Sequence, residues 1–430
     1  MMKRTAIFLL AAALALPSFA LSVRDEIKAN PNKAGGVYFA YPAVEISPVP
    51  DVPKGYTPFY ASHYGRHGSR HIIKDYYYTG LLTPLRRAEK EGALTPRGKE
   101  LLAKVDTLWN IADGRLGELT PLGTRQHQGI ARRLATAYPQ IFADSLAEVT
   151  AASTVVMRCA HSMFAFIEGL KDVFPHLNIP RESSQRNMNY LNYQSQDSRP
   201  YRTEEGPWFQ PFNRIKEKNT NPDRLIATVF SDPAFVEQWV NPDDFMTYLY
   251  WMAVGIQNLD GVGMSLYDYF TPDELYDLWE IYNFEMYSRS SSYPQAEGMH
   301  LSNARNLVRN IVETADSYIA GGKHGATLRF GHDTNITPLT ALLGMEGCTS
   351  DARTPEELAP SGFANFRISP MASNVQMIFF RNDRRKDDIL VRVMLNERDV
   401  RLPLIPVRDY YYRWSDLRPY LADLAGMSGN

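Results

Sequence analysis

The stretch that most constrains the fold is residues 59–71, Phe-Tyr-Ala-Ser-His-Tyr-Gly-Arg-His-Gly-Ser-Arg-His. It begins as an aromatic, apolar run of the kind a buried strand needs, then breaks at Gly65 and Gly68. Arg66, His67 and Arg70 lie around those breaks. Arginine presents a rigid fork of donors that matches phosphate oxygens and stays charged at ordinary pH. Glycine lets the backbone turn sharply and approach a ligand closely. A strand delivering Arg-His-Gly-x-Arg into a loop is suited to holding a phosphoryl group against an imidazole. Three other readings stand beside this one: a basic surface loop, a core histidine satisfied by backbone, and a metal site. His63, His67 and His71 recur every four residues, as ligands on one helix face would. Gly65 and Gly68 count against that helix, since each costs about 1 kcal/mol in a helix interior.

The rest of the chain supplies a large α/β frame for such a loop. With 430 residues, 44% hydrophobic and 22% charged, the composition is globular and sufficient for a sizeable core. The net charge of -2 provides no global field for nucleic acid or an anionic membrane, so anion recognition has to be local. Residues 1–20 have the form of a signal peptide, with basic Lys3 and Arg4, an apolar run over 6–16, and small Ser18 and Ala20. No second long apolar run follows. The expectation is therefore an exported protein, periplasmic or secreted, with no integral membrane segment after signal removal. Cys159 and Cys348, the two cysteines, form no framework and match no metal-ligand spacing, and two buried free thiols are expected.

Along the chain, residues 21–54 read as a proline-rich extended entry over the surface. Leu94-Thr95-Pro96-Arg97-Gly98 and Leu119-Thr120-Pro121-Leu122-Gly123 each place a capping threonine before a proline at the first helical position. The second such helix is predicted over 121–138. Residues 148–157 form a β-branched strand that delivers Arg158 to a following helix, the corner where α/β folds put ligands. Arg158 paired with a nearby carboxylate is the alternative there. Residues 175–300 alternate polar loops with helical stretches and read as an all-helical cap inserted into the first domain. The α/β pattern then resumes with a helix over 301–319 and a strand over 326–330, which ends in His332-Asp333. A hairpin is expected from 374–380 and 389–395, and a further strand over 400–405. The predicted domains are thus 21–174 and 301–430 for the core, and 175–300 for the cap.

Three strand ends present Arg66-His67-x-x-Arg70, Arg158 and His332-Asp333. Together these residues neutralise and orient a phosphate, offer a neutral histidine to attack phosphorus, and offer a carboxylic acid to protonate the leaving oxygen. Phosphoryl transfer needs positioning and charge neutralisation above all, and these groups supply both without a metal or another cofactor.

On these residues, together with the Leu119–Gly123 helix start and Thr334-Asn335 after Asp333, the chain resembles the histidine phosphatase superfamily in its acid phosphatase and phytase branch. The resemblance implies a mixed, mostly parallel sheet flanked by helices, with an inserted helical domain. It also implies His67 as the nucleophile of a phosphohistidine intermediate. Arg66, Arg70, Arg158 and His332 would clamp the phosphoryl group, and Asp333 would be the proton donor. Two features depart from the family pattern. Ile72 stands where the branch usually has proline. Arg158-Cys159, Ser162, Phe166 and Gly169-Leu170 resemble the inositol polyphosphate phosphatases, which typically carry His-Ala-Glu where this chain has His332-Asp333. The expected substrate is a small phosphate monoester, with phytate and other inositol or sugar phosphates as candidates. A phosphomutase and a non-catalytic phospholigand-binding protein are the alternatives. Because a free aspartic acid has a pKa of about 3.9 and Asp333 has to be protonated, turnover is expected to favour acid. His63 and His71 are read as structural, and the tyrosine runs 76–78 and 410–412 as core packing.

Overall fold

The computed structural model describes residues 21–42, 52–196 and 198–427. The segment 1–20, read as a signal peptide, lies outside them. At the centre is one eight-stranded sheet: β1 Tyr56–Arg66, β2 Glu148–Ser153, β3 Arg181–Ser183, β4 Gly325–Gly331, β5 Asn374–Asn382, β6 Ile389–Leu395, β7 Arg398–Asp399 and β8 Tyr411–Arg413. The order is β3-β2-β4-β1-β5-β6-β7, with β8 also paired to β6. β1 to β4 run parallel to their neighbours in this group, while β5 is antiparallel to β1 and to β6.

β1 is buried from Pro58 onward, because both faces of the sheet are covered. Tyr60 and Tyr64 point into one core with the helix Ser302–Ala320. Ala61 points into a second core, with Leu328 and Phe330 of β4, Ile130, and Phe166.

The helices, in chain order, are α1 Val23–Ala29, α2 Tyr76–Glu91, α3 Pro96–Ala112, α4 Pro121–Ala137, α5 Met157–Val173, α6 Met188–Leu191, α7 Phe209–Asn219, α8 Asp223–Val229, α9 Pro233–Trp239, α10 Pro242–Gly255, α11 Pro272–Ser290, α12 Ser302–Ala320, α13 Asp333–Leu342, α14 Pro355–Leu358, α15 Asn365–Ile368 and α16 Trp414–Leu424. Thr95 and Thr120 cap α3 and α4 as their sequences predict, each accepting a hydrogen bond from the glycine N–H three residues on. None of the helices among the described residues is long and apolar enough to cross a membrane.

The structure departs from the sequence expectations in four places. The entry segment is helical: Ser22 caps α1, Val23 and Ile27 are buried, and a 3₁₀ stretch Pro31–Tyr38 follows. The segment read as all-helical from 175 starts with β3, whose three residues pair with Ala151–Ser153 of β2. The strand expected over 148–157 ends at Ser153, and α5 begins at Met157. No strand forms over 400–405. The chain there carries Pro403 and Pro406, which cannot donate to a ladder, and the last pairings go to β7 and β8.

Because β2, β4 and β1 are adjacent and parallel, their carboxyl ends finish level. Arg66 pairs in register with Gly331, and Ser153 with Phe330. The loops after these strands therefore open side by side, the usual position of a ligand crevice in a parallel sheet.

Candidate active site

The loop after β1 is fixed through its backbone. The N–H of Arg66 donates to Ser373 O at 2.7 Å, that of His67 to Gly331 O at 3.0 Å, and that of His71 to Glu118 O at 2.9 Å. The Gly68 N–H donates to Ser162 Oγ at 3.0 Å and the Ser69 N–H to Gln126 Oε1 at 2.9 Å. The loop also rests directly on the start of α4, where the Thr120 N–H and Oγ1 both donate to Ser69 O. A Cβ on Gly68 would lie 2.7 Å from Gly123 Cα, and one on Gly123 would lie 2.8 Å from Ser69 N. The glycines of the two sequence motifs thus meet backbone to backbone, which no other residue type permits.

The loop delivers two arginines and a histidine to one place, and α5 adds a third arginine. Arg66 is wholly buried and donates through Nη1 to Ser369 O at 2.8 Å and to Val37 O. Its Nη2 forms a 3.0 Å ion pair with Asp333 Oδ2. Arg70 donates to Tyr38 Oη and to His71 O, both at 3.0 Å, and stacks over the Tyr38 ring at 4.6 Å. Arg158 is the second residue of α5 and half-buried. The Nε groups of Arg66, Arg70 and Arg158 are buried without a hydrogen-bond partner. Buried guanidinium donors left open in this way mark a site that an anion completes.

His67 Nδ1 lies 3.0 Å from Gly68 O, and because a carbonyl only accepts, Nδ1 carries the proton. The lone pair is then on Nε2. His332, the N-cap of α13, stands with its ring 5.8 Å from that of His67 and its Nε2 3.3 Å from Thr154 Oγ1. Asp333 opens α13 and accepts the Thr334 N–H at 3.0 Å.

The electrostatics follow from burial and crowding. Burial, followed by the charges of Arg66, Arg70 and Arg158, holds His67 well below 6.5, so the imidazole is neutral. Burial and Arg158 bring His332 to about 4. Burial raises Asp333, but Arg66, His332 and Arg70 outweigh it and leave the carboxyl below its ordinary value. Burial lowers Arg66 to about 10, with Asp333 opposing and Arg70 adding to the fall.

The structure therefore brings Arg66, His67, Arg70, Arg158, His332 and Asp333 into one crevice. His63 is elsewhere: its ring packs on Phe166 at 4.6 Å and Phe330 at 5.5 Å, a structural place, and neither nitrogen has a hydrogen-bond partner among the described residues. His71 is buried behind the loop. Tyr77 stacks on Trp251 and Tyr78 packs against Trp109. Tyr411 and Tyr412 are buried, and both cysteines are buried and free. Sequence reasoning missed Tyr38, Thr154 and Gln126. Gln126 had a detectable signal, a polar side chain on the buried stripe of α4. Tyr38 had none, because its partner Arg70 lies across a stretch read as a surface entry.

A sequence-family model for the histidine phosphatase superfamily (branch 2) matches residues 66–396. No curated protein matches the chain significantly. Among solved structures, the chain is similar to the multiple inositol polyphosphate phosphatase of Bifidobacterium longum in complex with inositol hexasulfate. That likeness has a TM-score of 0.79 at 19% identity, covering 91% of this chain and 97% of that one. The chain is also similar to the phytase from D. castellii, with a TM-score of 0.60 at 16% identity, covering 91% and 85%. At these identities the structural likeness is one of fold. The family match, in contrast, runs from Arg66 past Asp333, and on it the chain belongs to the histidine phosphatase superfamily, branch 2, and is a phosphatase.

Proposed function

We propose that the protein is an exported, metal-independent phosphomonoesterase that works through a phosphohistidine on His67. Arg66, Arg70, Arg158 and His332 hold the three non-bridging oxygens. His67 Nε2 attacks phosphorus, the bond to the ester oxygen breaks, and Asp333 gives that oxygen its proton. Water then attacks the phosphohistidine, with the Asp333 carboxylate taking a proton from it, which frees His67 and releases phosphate. A single observation carries the reading. The Nδ1–H of His67 is bonded to Gly68 O, so the bare nitrogen is the one left to react among three guanidinium groups. The Arg66–Asp333 pair fits the same scheme, since a phosphate dianion competes for Arg66 and raises the carboxyl toward the protonated form. The structural neighbours are named as an inositol polyphosphate phosphatase and a phytase, which supports inositol phosphates as a substrate class, with phytate and sugar phosphates among the candidates.

The test is phosphate release from an aryl phosphate at mildly acidic to neutral pH with chelator present, comparing the mature protein with His67→Ala. Loss of ~10³-fold or more is expected on removing the nucleophile. Equal release by both proteins would overturn the assignment of His67.

A further inference from the structure

A second feature lies beside the phosphate crevice, and resting on the phosphatase reading it bears on which alcohol leaves. A cavity of about 150 Å³ is lined by Thr334, next to Asp333, by Val37, whose carbonyl accepts from Arg66, and by residues of α10, α11 and the 3₁₀ turn Pro200–Arg202. Four aromatic side chains line it: Tyr250, Trp251, Trp279 and Tyr282. These rings connect to the phosphate clamp. Arg70 bonds and stacks on Tyr38, Tyr38 lies 5.2 Å from Trp251, and Trp251 lies 4.5 Å from Tyr282. The aromatic wall is therefore held in fixed register with the phosphate that Arg70 binds.

Two cations reach the cavity, and they differ. Arg289 is spent on Glu285 at 2.5 Å, with a further bond from its Nη2 to Arg202 O. Arg202 is half-buried, and its guanidinium forms neither a hydrogen bond nor an ion pair with the described residues. Burial lowers its pKa, the like charge of Arg289 adds to the fall, and the Asp333 carboxylate opposes it. Arg202 is thus a cation with no carboxylate at ion-pair distance among the described residues, in a cavity about the size that takes a single six-membered ring. Glu285, Ser290 and Thr334 on the lining supply acceptors and hydroxyls of the kind that meet sugar hydroxyl groups.

We infer that this cavity receives the leaving group, and that its ligand is a ring-shaped polyol carrying one further phosphate, held by Arg202, besides the phosphate being cleaved. The flat C–H face of the ring lies on Trp251 and Tyr282, and its hydroxyls meet Glu285, Ser290 and Thr334. A single free guanidinium matches a bisphosphate. A hexakisphosphate brings five extra phosphates to a pocket with one such guanidinium and room for one ring.

The experiment measures kcat/KM for glucose 6-phosphate, glucose 1,6-bisphosphate and inositol hexakisphosphate with wild type, Arg202→Gln and Arg202→Lys. In the wild type the bisphosphate is expected to exceed the monophosphate by ~10- to 100-fold, the range of a charge-assisted bond in a part-buried site, and to exceed the hexakisphosphate. Arg202→Gln should lower the bisphosphate-to-monophosphate ratio by ~10-fold or more. Arg202→Lys should restore part of it. The intrinsic chemical difference between the esters is the same for every variant, so the ratio isolates the side chain. Hydrolysis of all three esters with the hexakisphosphate preferred, or with a ratio indifferent to Arg202, overturns this inference and leaves the phosphatase reading standing. Failure of the wild type to hydrolyse any of the three or an aryl phosphate overturns both.

Discussion

The proposed chemistry favours acid, yet the fold should weaken there, and His127 shows by how much. It lies on α4 directly behind the phosphate loop, wholly buried, with its ring 5.7 Å from Phe330 and neither nitrogen hydrogen-bonded. Burial holds it down to about 3, against an ordinary 6.5, and outweighs the opposing pull of the Arg66 backbone. The folded-state pKa is depressed, so as pH falls below about 6.5 the unfolded chain takes up this proton while the folded one does not. Stability from His127 is full above 6.5 and is lost from there down toward 3. Each pH unit in that window costs about 1.4 kcal/mol, so the fall from pH 6.5 to 4 removes about 3 kcal/mol. Against a typical stability of about 5–15 kcal/mol this is a large share. The assay is urea unfolding followed by tryptophan fluorescence at pH 6.5, 5.5 and 4, comparing wild type with His127→Leu, which keeps an apolar side chain of similar size and removes the titration. The variant should lose about 3 kcal/mol less than the wild type over that range. His63, His300 and His332, all depressed by burial, act in the same direction and remain in both proteins. Parallel losses in the two proteins would refute the placement of a neutral, unprotonated imidazole behind the loop.

Two further perturbations test the site itself. Asp333→Asn removes the proposed proton donor and should lower kcat by ~10²- to 10⁴-fold for an alkyl phosphate, and by less for 4-nitrophenyl phosphate, whose leaving group needs no proton. The decline of wild-type kcat/KM with rising pH should flatten in the same variant, and an alkyl-to-aryl ratio unchanged from wild type would remove Asp333 from the acid role. Gly123→Ala puts a Cβ against the Ser69 backbone and should displace the phosphate loop, lowering phosphate affinity together with kcat, while Gly129→Ala, one turn and a half along α4 and facing the Arg133 side chain, should be mild. Equal effects of the two substitutions on inhibition by inorganic phosphate would show that the backbone contact at Gly68 and Gly123 does not hold the loop.

The reactive residues were legible in sequence because each is announced by its own strand. Arg66 and His67 follow a run of apolar residues and His332-Asp333 follow another, so local pattern places them at strand ends, while Arg158 follows a β-branched run but lies in the first turn of α5, beyond the end of β2 at Ser153. What pattern cannot give is which strands are neighbours, and β2-β4-β1 adjacency is what turns three strand ends into one crevice. The supporting residues are harder to read for the same reason. Tyr38 reaches Arg70 from a segment whose prolines suggested an exposed path, although Ser22 before Val23 and Ile27 is a capped, half-apolar helix start on inspection. Thr154 contacts His332 across 178 residues of chain, and nothing in its surroundings marks it apart from other strand-end threonines. The leaving-group cavity is the extreme case. Arg202 sits in a three-residue turn, Trp251 in the middle of a helix buried on most sides, and Thr334 beside the catalytic pair, so it is tertiary packing that makes them one surface. The chemistry of phosphoryl transfer is thus written locally, whereas the choice of alcohol is written in how a helical stretch folds back over the sheet. Membership of a phosphatase family is therefore legible in the sequence, whereas the lining of the neighbouring cavity is assembled only by the fold.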